Sequence, residues 1–358
     1  MRRKTRKVSV GQIGIGGDSP VTVQSMTNTD TADFEKTFGQ LRVLEDAGCD
    51  IVRIAVPSVE SAEVFRYLKN RGVRAPLVAD VHFDYKIALA AVSAGADKIR
   101  INPGNIGEKW KVREVADACR SSGLPIRIGV NSGSVEKKLL EKYGSPCAEA
   151  LAESALLEAE ALEEFGFSDI VLSIKSSDVP TMVKATKIVA AECDYPLHLG
   201  VTEAGPAYDG IIKNCAGLGA LLLDGIGDTV RISLTADPAE EVRAGRKLLS
   251  ALGLSRKGGI NVISCPTCGR TRIPLIRIAE DYQERTKNLD TKGKSITVAI
   301  MGCVVNGPGE AREADFGIAG GDGCGVLFRH GEICEKIDED RLVDRLFEET
   351  ERYIKEAE

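Results

Sequence analysis

Apolar residues fall into short β-rich runs separated by longer stretches with helical spacing. The runs read VTVQSM from Val21, IVRIAVP from Ile51, APLVADVH from Ala75, ADKIRINPG from Ala96, PIRIGVN from Pro125, DIVLSIKSS from Asp169, PLHLGVTEAG from Pro196 and DTVRISLT from Asp228. Their lengths and β-branched residues predict eight strands. The intervening periodicity predicts helices, among them 35–47, 60–71, 148–165 and 239–252. Gly48, Gly72, Gly95, Gly123 and Gly166 stand where helix C-terminal caps are expected. Strict alternation implies a parallel sheet, and eight units match an α/β TIM (β/α)8 barrel. A doubly wound open sheet is the alternative, but no dinucleotide glycine fingerprint opens the first unit. The longest connection, 131–168, predicts an extra turn or loop.

The pattern changes after SRKGGI (255–260), a polar linker with two glycines. Beyond it come a strand-like NVISC, a helix over 273–287, the strand SITVAIMG and the glycine-rich loop NGPGEA (306–311). Strand-like FGIAGG and GVLFRHG and a final helix over 338–355 complete the chain. The expectation is a barrel over 1–254 and a smaller C-terminal α/β domain over 255–358.

Composition narrows the classes. Hydrophobic residues at 43% and charged residues at 28% suit an ordinary globular chain rather than a disordered or fibrous one. The apolar runs are too short for a membrane span of ~20 residues. A net charge of −6 argues against a general nucleic-acid binder. The start, MRRKTRK, is basic but leads into no apolar stretch, so it is not a secretory signal and is expected to be solvated. The expected compartment is the cytoplasm, where ten cysteines serve as buried thiols and metal ligands rather than disulfides.

The strands turn polar toward their ends, where TIM barrels carry their chemistry. Arg53, Arg100, Arg127, Lys175 and Arg231 lie in or at the ends of five different strands. Residues two apart share a face, which groups Arg100 with Asn102, Arg127 with Asn131, Arg231 with Ser233 and Asp80 with His82. A single such arginine could face outward against helix acids. Five cations converging on one mouth repel unless an anion sits among them, and the arginine fork suits phosphate oxygens. The expected substrate is therefore strongly anionic, with more than one phosphate. Glu203, ending the seventh strand, is a carboxylate placed to move protons; its other role would be to balance an arginine. His82 and Asn102 are expected to hydrogen-bond the ligand, though a histidine placed like His82 serves equally often to orient a neighbour, and His198 and His330 have no supporting pattern.

In the second domain, Cys265 and Cys268 form CPTC after a strand, and Cys303 follows another. This pattern fits an iron–sulfur cluster, a redox dithiol or half of a zinc site completed by Cys324 or Cys334. In the cluster reading three thiolates hold a 4Fe–4S centre, and the glycines and Pro308 let the chain bring Glu310 to the metal. Cys49, Cys119, Cys147, Cys193 and Cys215 lack ligand spacing and read as ordinary thiols.

The segments RRKTRKVSVGQIGIGGDSPVTVQSMT, IVRIAVP, RINPGNIG and HLGVTEAG, and above all ISCPTCGR and MGCVVNGPGEAREADFGIAGG, resemble the 4-hydroxy-3-methylbut-2-enyl diphosphate synthase family over essentially the whole chain. The resemblance implies a TIM barrel that binds 2-C-methyl-D-erythritol 2,4-cyclodiphosphate in the methylerythritol phosphate route to isoprenoids. It implies a 4Fe–4S cluster on Cys265, Cys268, Cys303 and Glu310, reduced by flavodoxin or ferredoxin. Arg53, Arg100, Arg127, Asn131, Lys175, Thr202, Arg231 and Ser233 match the family's substrate contacts, and Glu203 its acidic catalytic residue. Only one helix and a linker separate Asp237 from Cys265, as in the two-domain form. Cys324, in GGDGCGVLF, stands outside the family pattern.

The implied activity is two-electron reductive opening of a cyclic diphosphate with loss of water. The alternatives are a non-redox barrel synthase for a phosphorylated or pterin substrate with a structural zinc domain, and a non-enzymatic metal-binding module. The module leaves the five cations unexplained. A homodimer with head-to-tail shared sites is also expected. The linker follows the eighth helix, which returns the chain to the far face of its own barrel, ~30 Å from the mouth for a helix of about 20 residues. Two-fold symmetry lets each cluster domain cap the partner's barrel, and the resemblance implies the same arrangement.

Overall fold

Each of the eight expected apolar runs carries a strand. The computed structural model describes residues 2–255, 258–287, 289–303 and 311–356, and the chain divides into two compact units, Met1–Leu254 and Ser255–Glu358.

The first unit opens with an antiparallel hairpin, β1 (Val8–Val10) and β2 (Ile13–Ile15). Eight parallel strands follow: β3 (Thr22–Met26), β4 (Ile51–Ala55), β5 (Leu77–Asp80), β6 (Lys98–Ile101), β7 (Ile126–Asn131), β8 (Ile170–Lys175), β9 (His198–Leu199) and β10 (Thr229–Val230). Their order is β8-β7-β6-β5-β4-β3-β10-β9, and a parallel bridge between Leu172 and Leu197 closes the ring. Helices α1 (Phe34–Asp46), α2 (Val64–Asn70), α3 (Tyr85–Ser93), α4 (Pro103–Ile106), α5 (Lys109–Ser121), α6 (Lys137–Tyr143), α7 (Ala148–Glu163), α8 (Val179–Glu192), α9 (Ala207–Leu223) and α10 (Pro238–Ala251) surround it. The architecture is thus the expected α/β TIM barrel. The long 131–168 connection holds a 3-10 turn, α6 and α7. The five cap glycines all take positive φ, a conformation side chains resist.

The main core lies between the outward faces of the strands and the helices, for example Val52 and Ile54 of β4 against Leu41, Leu44 and Phe65. The hairpin closes the other end. Val10 and Ile15 pack on Ile51 and Val78, at the starts of β4 and β5. The basic N-terminus is solvated only in part: Lys4 and Lys7 are exposed, as expected, but the arginines are tied down. Arg2 pairs with the buried Asp228 at 2.7 Å, Arg3 donates to the carbonyls of Ala190 and Tyr195, and Arg6 pairs with Asp194. Carbonyls and carboxylates left open at the barrel's base attract these cations.

The second unit is a five-stranded sheet of β11 (Gly259–Ser264), β12 (Ser295–Met301), β13 (Phe316–Gly321), β14 (Cys324–Arg329) and β15 (Glu332–Asp338), in that order. The first three strands are parallel, and β14 and β15 run antiparallel. Helices α11 (Leu275–Thr286) and α12 (Leu342–Lys355) pack on it through Ile278, Tyr282, Leu346 and Ile354. Strand β15 has no counterpart in the sequence reading. It is an exposed edge carrying Glu332, Glu335 and Lys336, so it lacks the apolar alternation that marks a strand, and its charges discourage edge pairing.

Helix α12 is pinned to β14 by Glu349, whose buried carboxylate accepts from Arg329 at 2.6 and 3.0 Å and from Arg352 Nε at 3.1 Å. Burial alone would raise its pKa, but these two guanidiniums hold it down at about 2. Glu349→Gln is expected to destabilise this unit by about 1.5–3 kcal/mol at neutral pH. A depressed carboxylate stabilises above its unfolded pKa, 4.5, and loses that contribution as pH falls through about 2. Denaturant unfolding should therefore separate wild type from variant at pH 7, with the two converging in strong acid.

Candidate active site

Strand parity decides which side chains enter the barrel. Ser25 faces outward, donating to Glu241 of α10 at 2.8 Å, so Gln24 and Met26 face inward. Register carries the inward set around the ring: Met26 lies beside Arg53, Asp80 beside Arg100, Arg100 beside Arg127, and Asn131 beside Lys175. On β9 and β10, His198 lies beside Thr229, and Thr202 and Ser233 follow at the same parity, partly exposed. The structure therefore brings Arg53, Arg100, Arg127 and Lys175 together as buried groups, with Arg231 near the rim.

Little negative charge answers this set. Asp80 receives Arg100 Nη1 at 3.0 Å and lies 3.6 Å from Arg53 Nε, and the exposed His82 lies 3.7 Å from it. Burial would raise the Asp80 pKa, but Arg53, the His82 hydrogen bond, Arg100 and Arg127 hold it well below the usual carboxylate range. Arg231 is gripped by Glu241 through two contacts of 3.1 Å, and Arg53 rests on the Met26 sulfur at 3.1 and 3.0 Å. Among the described residues Arg127 and Lys175 form no ion pair, and Arg127, 1% exposed, leaves Nε and Nη1 without a partner. Burial and the neighbouring cations push Arg53 down to about 10 and Arg127 and Lys175 well below their ordinary values. An anion entering here would reverse that penalty.

Two glycines make room for the cations. A side chain at Gly129 would meet the Arg100 guanidinium at 2.7 Å, and one at Gly200 would meet Lys175 Nζ at 3.1 Å.

Two interior residues lay outside the sequence reading. Lys98, two positions before Arg100 on β6, is 0% exposed, and its Nζ has no partner. His198, for which the sequence offered no pattern, is 1% exposed with both ring nitrogens unpartnered. Burial first, then Arg127, Lys175 and Lys98, holds its imidazole well below the ordinary histidine range, hence neutral. The available signal was parity, since Lys98 shares a face with Arg100 and His198 with Thr202.

Asn102 is buried, and its Nδ2 donates to Ser134 Oγ at 3.2 Å. Glu203 is exposed after β9 with φ at 52°, a left-handed conformation sparse for a residue with a side chain. Such backbone strain concentrates at functional sites.

In the second unit, β11 and β12 are parallel neighbours, so Cys265 and Cys303 follow strand ends on the same edge of the sheet. Cys265 Sγ accepts the Gly302 N–H at 3.3 Å. The Cys268 thiol is exposed, and hydrogen bonds from the Arg270 backbone and side chain lower its pKa. The lowered Cys268 thiol favours thiolate, the form an iron–sulfur cluster requires. Glu310 lies outside the described residues. Among the described residues no three His, Cys, Asp or Glu groups converge closely enough to hold a single ion. Cys324 starts β14, two strands from β12 and ~10 Å across the sheet. Cys334 lies exposed on β15.

Replacing Arg127 with Met should act in two opposite directions. The ligand-free protein should gain roughly 1–4 kcal/mol, because a buried unpaired charge is removed. Affinity for a diphosphate should fall about 10- to 100-fold with the loss of a charge-assisted contact. Thermal unfolding and calorimetric titration of the same variant check both.

Residues 5–246 match the family model described as the GcpE TIM-barrel domain, and residues 261–352 match that of the GcpE protein C-terminal domain. A 4-hydroxy-3-methylbut-2-en-1-yl diphosphate synthase (flavodoxin) of Geobacter sulfurreducens is 54% identical over 356 residues, covering 99% of each chain. A protein of the same name from Clostridium acetobutylicum is 56% identical over 348 residues, covering 97% of this chain and 98% of its own. Among solved structures, a type I 3-dehydroquinate dehydratase of Clostridium difficile superimposes with a TM-score of 0.52 at 14% identity, over 69% of this chain and 98% of that one. That likeness is one of barrel fold alone. Matched in both units by the family models and end to end by these relatives, the chain belongs to the GcpE family, the 4-hydroxy-3-methylbut-2-en-1-yl diphosphate synthases that its motifs resemble.

Proposed function

We propose that this enzyme converts 2-C-methyl-D-erythritol 2,4-cyclodiphosphate to 4-hydroxy-3-methylbut-2-enyl diphosphate, taking electrons from flavodoxin. The family match carries the reading and sets aside a non-redox synthase with structural zinc and a non-enzymatic module. The observation that supports the substrate class is the buried cation set with too few carboxylates.

In this reading the diphosphate enters the barrel mouth and supplies the missing charge. Arg53, Arg100, Arg127 and Lys175 take its oxygens, with Arg231, Asn102, Asn131, Thr202, Ser233 and His82 around them. Asp80 holds two of the arginines in fixed orientation, so the site is formed before the substrate arrives. Two electrons enter, the ring C–O bond breaks, and a hydroxyl leaves as water, which requires a delivered proton. Glu203 is the group assigned to handle that proton. Cys265, Cys268, Cys303 and Glu310 would hold a 4Fe–4S cluster, which supplies the electrons when bound. The amide donor at Cys265 Sγ and the lowered Cys268 thiol fit that role, and the position of Cys324 two strands away favours Glu310 as the fourth ligand. The enzyme is read as cytoplasmic. Among the described residues no helix is long and apolar enough to cross a membrane.

Anaerobic iron and sulfide analysis tests the cluster. Wild type should carry both elements and a brown chromophore, and Cys303→Ser should lose them while Cys324→Ser keeps them. The reverse result would reassign the ligands. Glu203→Gln should retain substrate affinity within about threefold yet lose at least ~100-fold in turnover.

The proposed assembly is a homodimer in which each cluster domain serves the partner's barrel. Mixing a Glu203→Gln variant with a Cys303→Ser variant should restore activity, because one site of the mixed dimer then combines two intact halves. A mixed dimer that stays inactive, or a fully active monomer, rejects shared sites.

A further inference from the structure

Beside the cation set lies a buried cluster with two carboxyl groups that the proposed reaction does not use. Glu158 of α7 is 5% exposed, and its Oε1 accepts the Gly104 N–H at 3.4 Å while Oε2 has no partner. Glu136, before α6, has a buried Oε2 with no partner. Asn102, 2% exposed, has a buried and unpartnered Oδ1. These groups converge on one side of Gly104. The point where a side chain there would begin lies 3.2 Å from Asn102 Oδ1, 3.3 Å from Glu158 Oε1 and 3.9 Å from Glu136 Oε1.

The orientation of the Asn102 amide follows from its other neighbour. The Ser134 hydroxyl donates its one proton to the Asn131 carbonyl at 3.1 Å and accepts the Asn131 N–H at 3.2 Å. Toward Asn102 it can only accept, so Asn102 presents Nδ2 to it. The amide oxygen is thereby turned toward two carboxyl groups. Gly104 itself is exposed, but Asn102 Oδ1, Glu158 Oε2 and Glu136 Oε2 beside it are buried acceptors, and with a single long N–H between them they are repulsive unless one carries a proton or a cation sits there. A divalent cation is disfavoured, because Arg100 reaches Glu158 and the other barrel cations lie beyond it.

We propose that Glu158 is held in its protonated form and acts as a positioning residue, its carboxyl O–H donating to Asn102 Oδ1. That bond and the Ser134 bond fix both ends of the amide, and so fix Asn102 at the mouth of the barrel. The inference rests on the reading of Asn102 as a substrate contact. The titration of Glu158 agrees with the geometry: burial first, then Glu136, pushes it up to about 8, against the Gly104 N–H and Arg100. Those are the charged and polar groups facing it from the segment before α6, from α4 and from β6; Ser154, one turn earlier on α7, adds a buried neutral hydroxyl. At neutral pH the acceptor is thus a donor, and as pH rises through about 8 the bond is replaced by repulsion.

The test uses the cluster-loaded enzyme. Wild type at pH 7 should show the infrared carbonyl stretch of a protonated carboxylic acid, lost in Glu158→Gln and lost from wild type on titration through about pH 8. Calorimetric affinity for the cyclic diphosphate should be alike in wild type and Glu158→Gln at pH 7. It should weaken about five- to tenfold in wild type at alkaline pH, the loss of roughly one hydrogen bond. Glu158→Gln should stay flat in comparison, and Glu158→Leu should be weak at every pH. Absence of the infrared band, or an unchanged alkaline limb in Glu158→Gln, overturns the proposal. A Mg2+-dependent rise in unfolding temperature that Glu158→Gln abolishes would also overturn it, in favour of a bound cation. Failure of wild type to bind the cyclic diphosphate at any pH would overturn the reading of the mouth instead, while the infrared band would still decide the protonation of Glu158.

Discussion

Like charges held close in a low-dielectric interior repel, and the barrel is organised around that repulsion. Arg53, Lys98, Arg100, Arg127 and Lys175 come from strands locked in register, and Arg231 directly follows β10, so none can retreat without breaking the ring. Arg53, Arg100 and Arg127 are anchored by backbone pairing on both sides, and the outer apolar core supplies the free energy that keeps the strands closed. Asp80 and Glu241 neutralise part of the charge and fix geometry; the remainder makes the cavity a trap for polyanions. In the proposed reading, stability of the empty protein and affinity for its substrate thereby draw on the same side chains in opposite senses.

Much of this was legible from parity. Alternation along a strand is a strong constraint, so naming Arg100 as inward also named Asn102, and Arg127 also named Asn131. The same rule, applied one step further down the strand, reaches Lys98. A lysine at a strand start reads equally as a solvated end, so parity alone does not single it out. His198 lies before the polar end of its strand, and nothing local says that it sits among arginines from β4 and β7. The Glu136–Glu158 cluster was invisible for a different reason. Its members come from a loop, a long helix and a strand end, so the contact exists only after the chain has closed on itself.

The second unit divides the same way. Its parallel strands carry apolar runs and were readable. The edge strand β15 was not, because an edge needs no buried face and carries charges that resemble a loop. The cysteine spacing pointed to metal chemistry, but choosing among cluster, dithiol and zinc needed the whole-chain resemblance. Spacing shows which thiols can meet, whereas the chemistry of the bound group depends on how the surroundings treat the thiolates.

The N-terminal hairpin has a consequence for the opposite end of the barrel. Val10 and Ile15 seal the base against Ile51 and Val78, and Arg2 and Arg6 tie the leading segment down. With the base sealed, that end of the barrel is closed to water, and in the proposed reading a substrate that fills the mouth leaves its phosphates in a dry field. Loosening the hairpin would let solvent in from behind, and the resulting rise in local permittivity would weaken every arginine–phosphate contact at once. The plug is therefore a dielectric insulator for a binding site that it never touches.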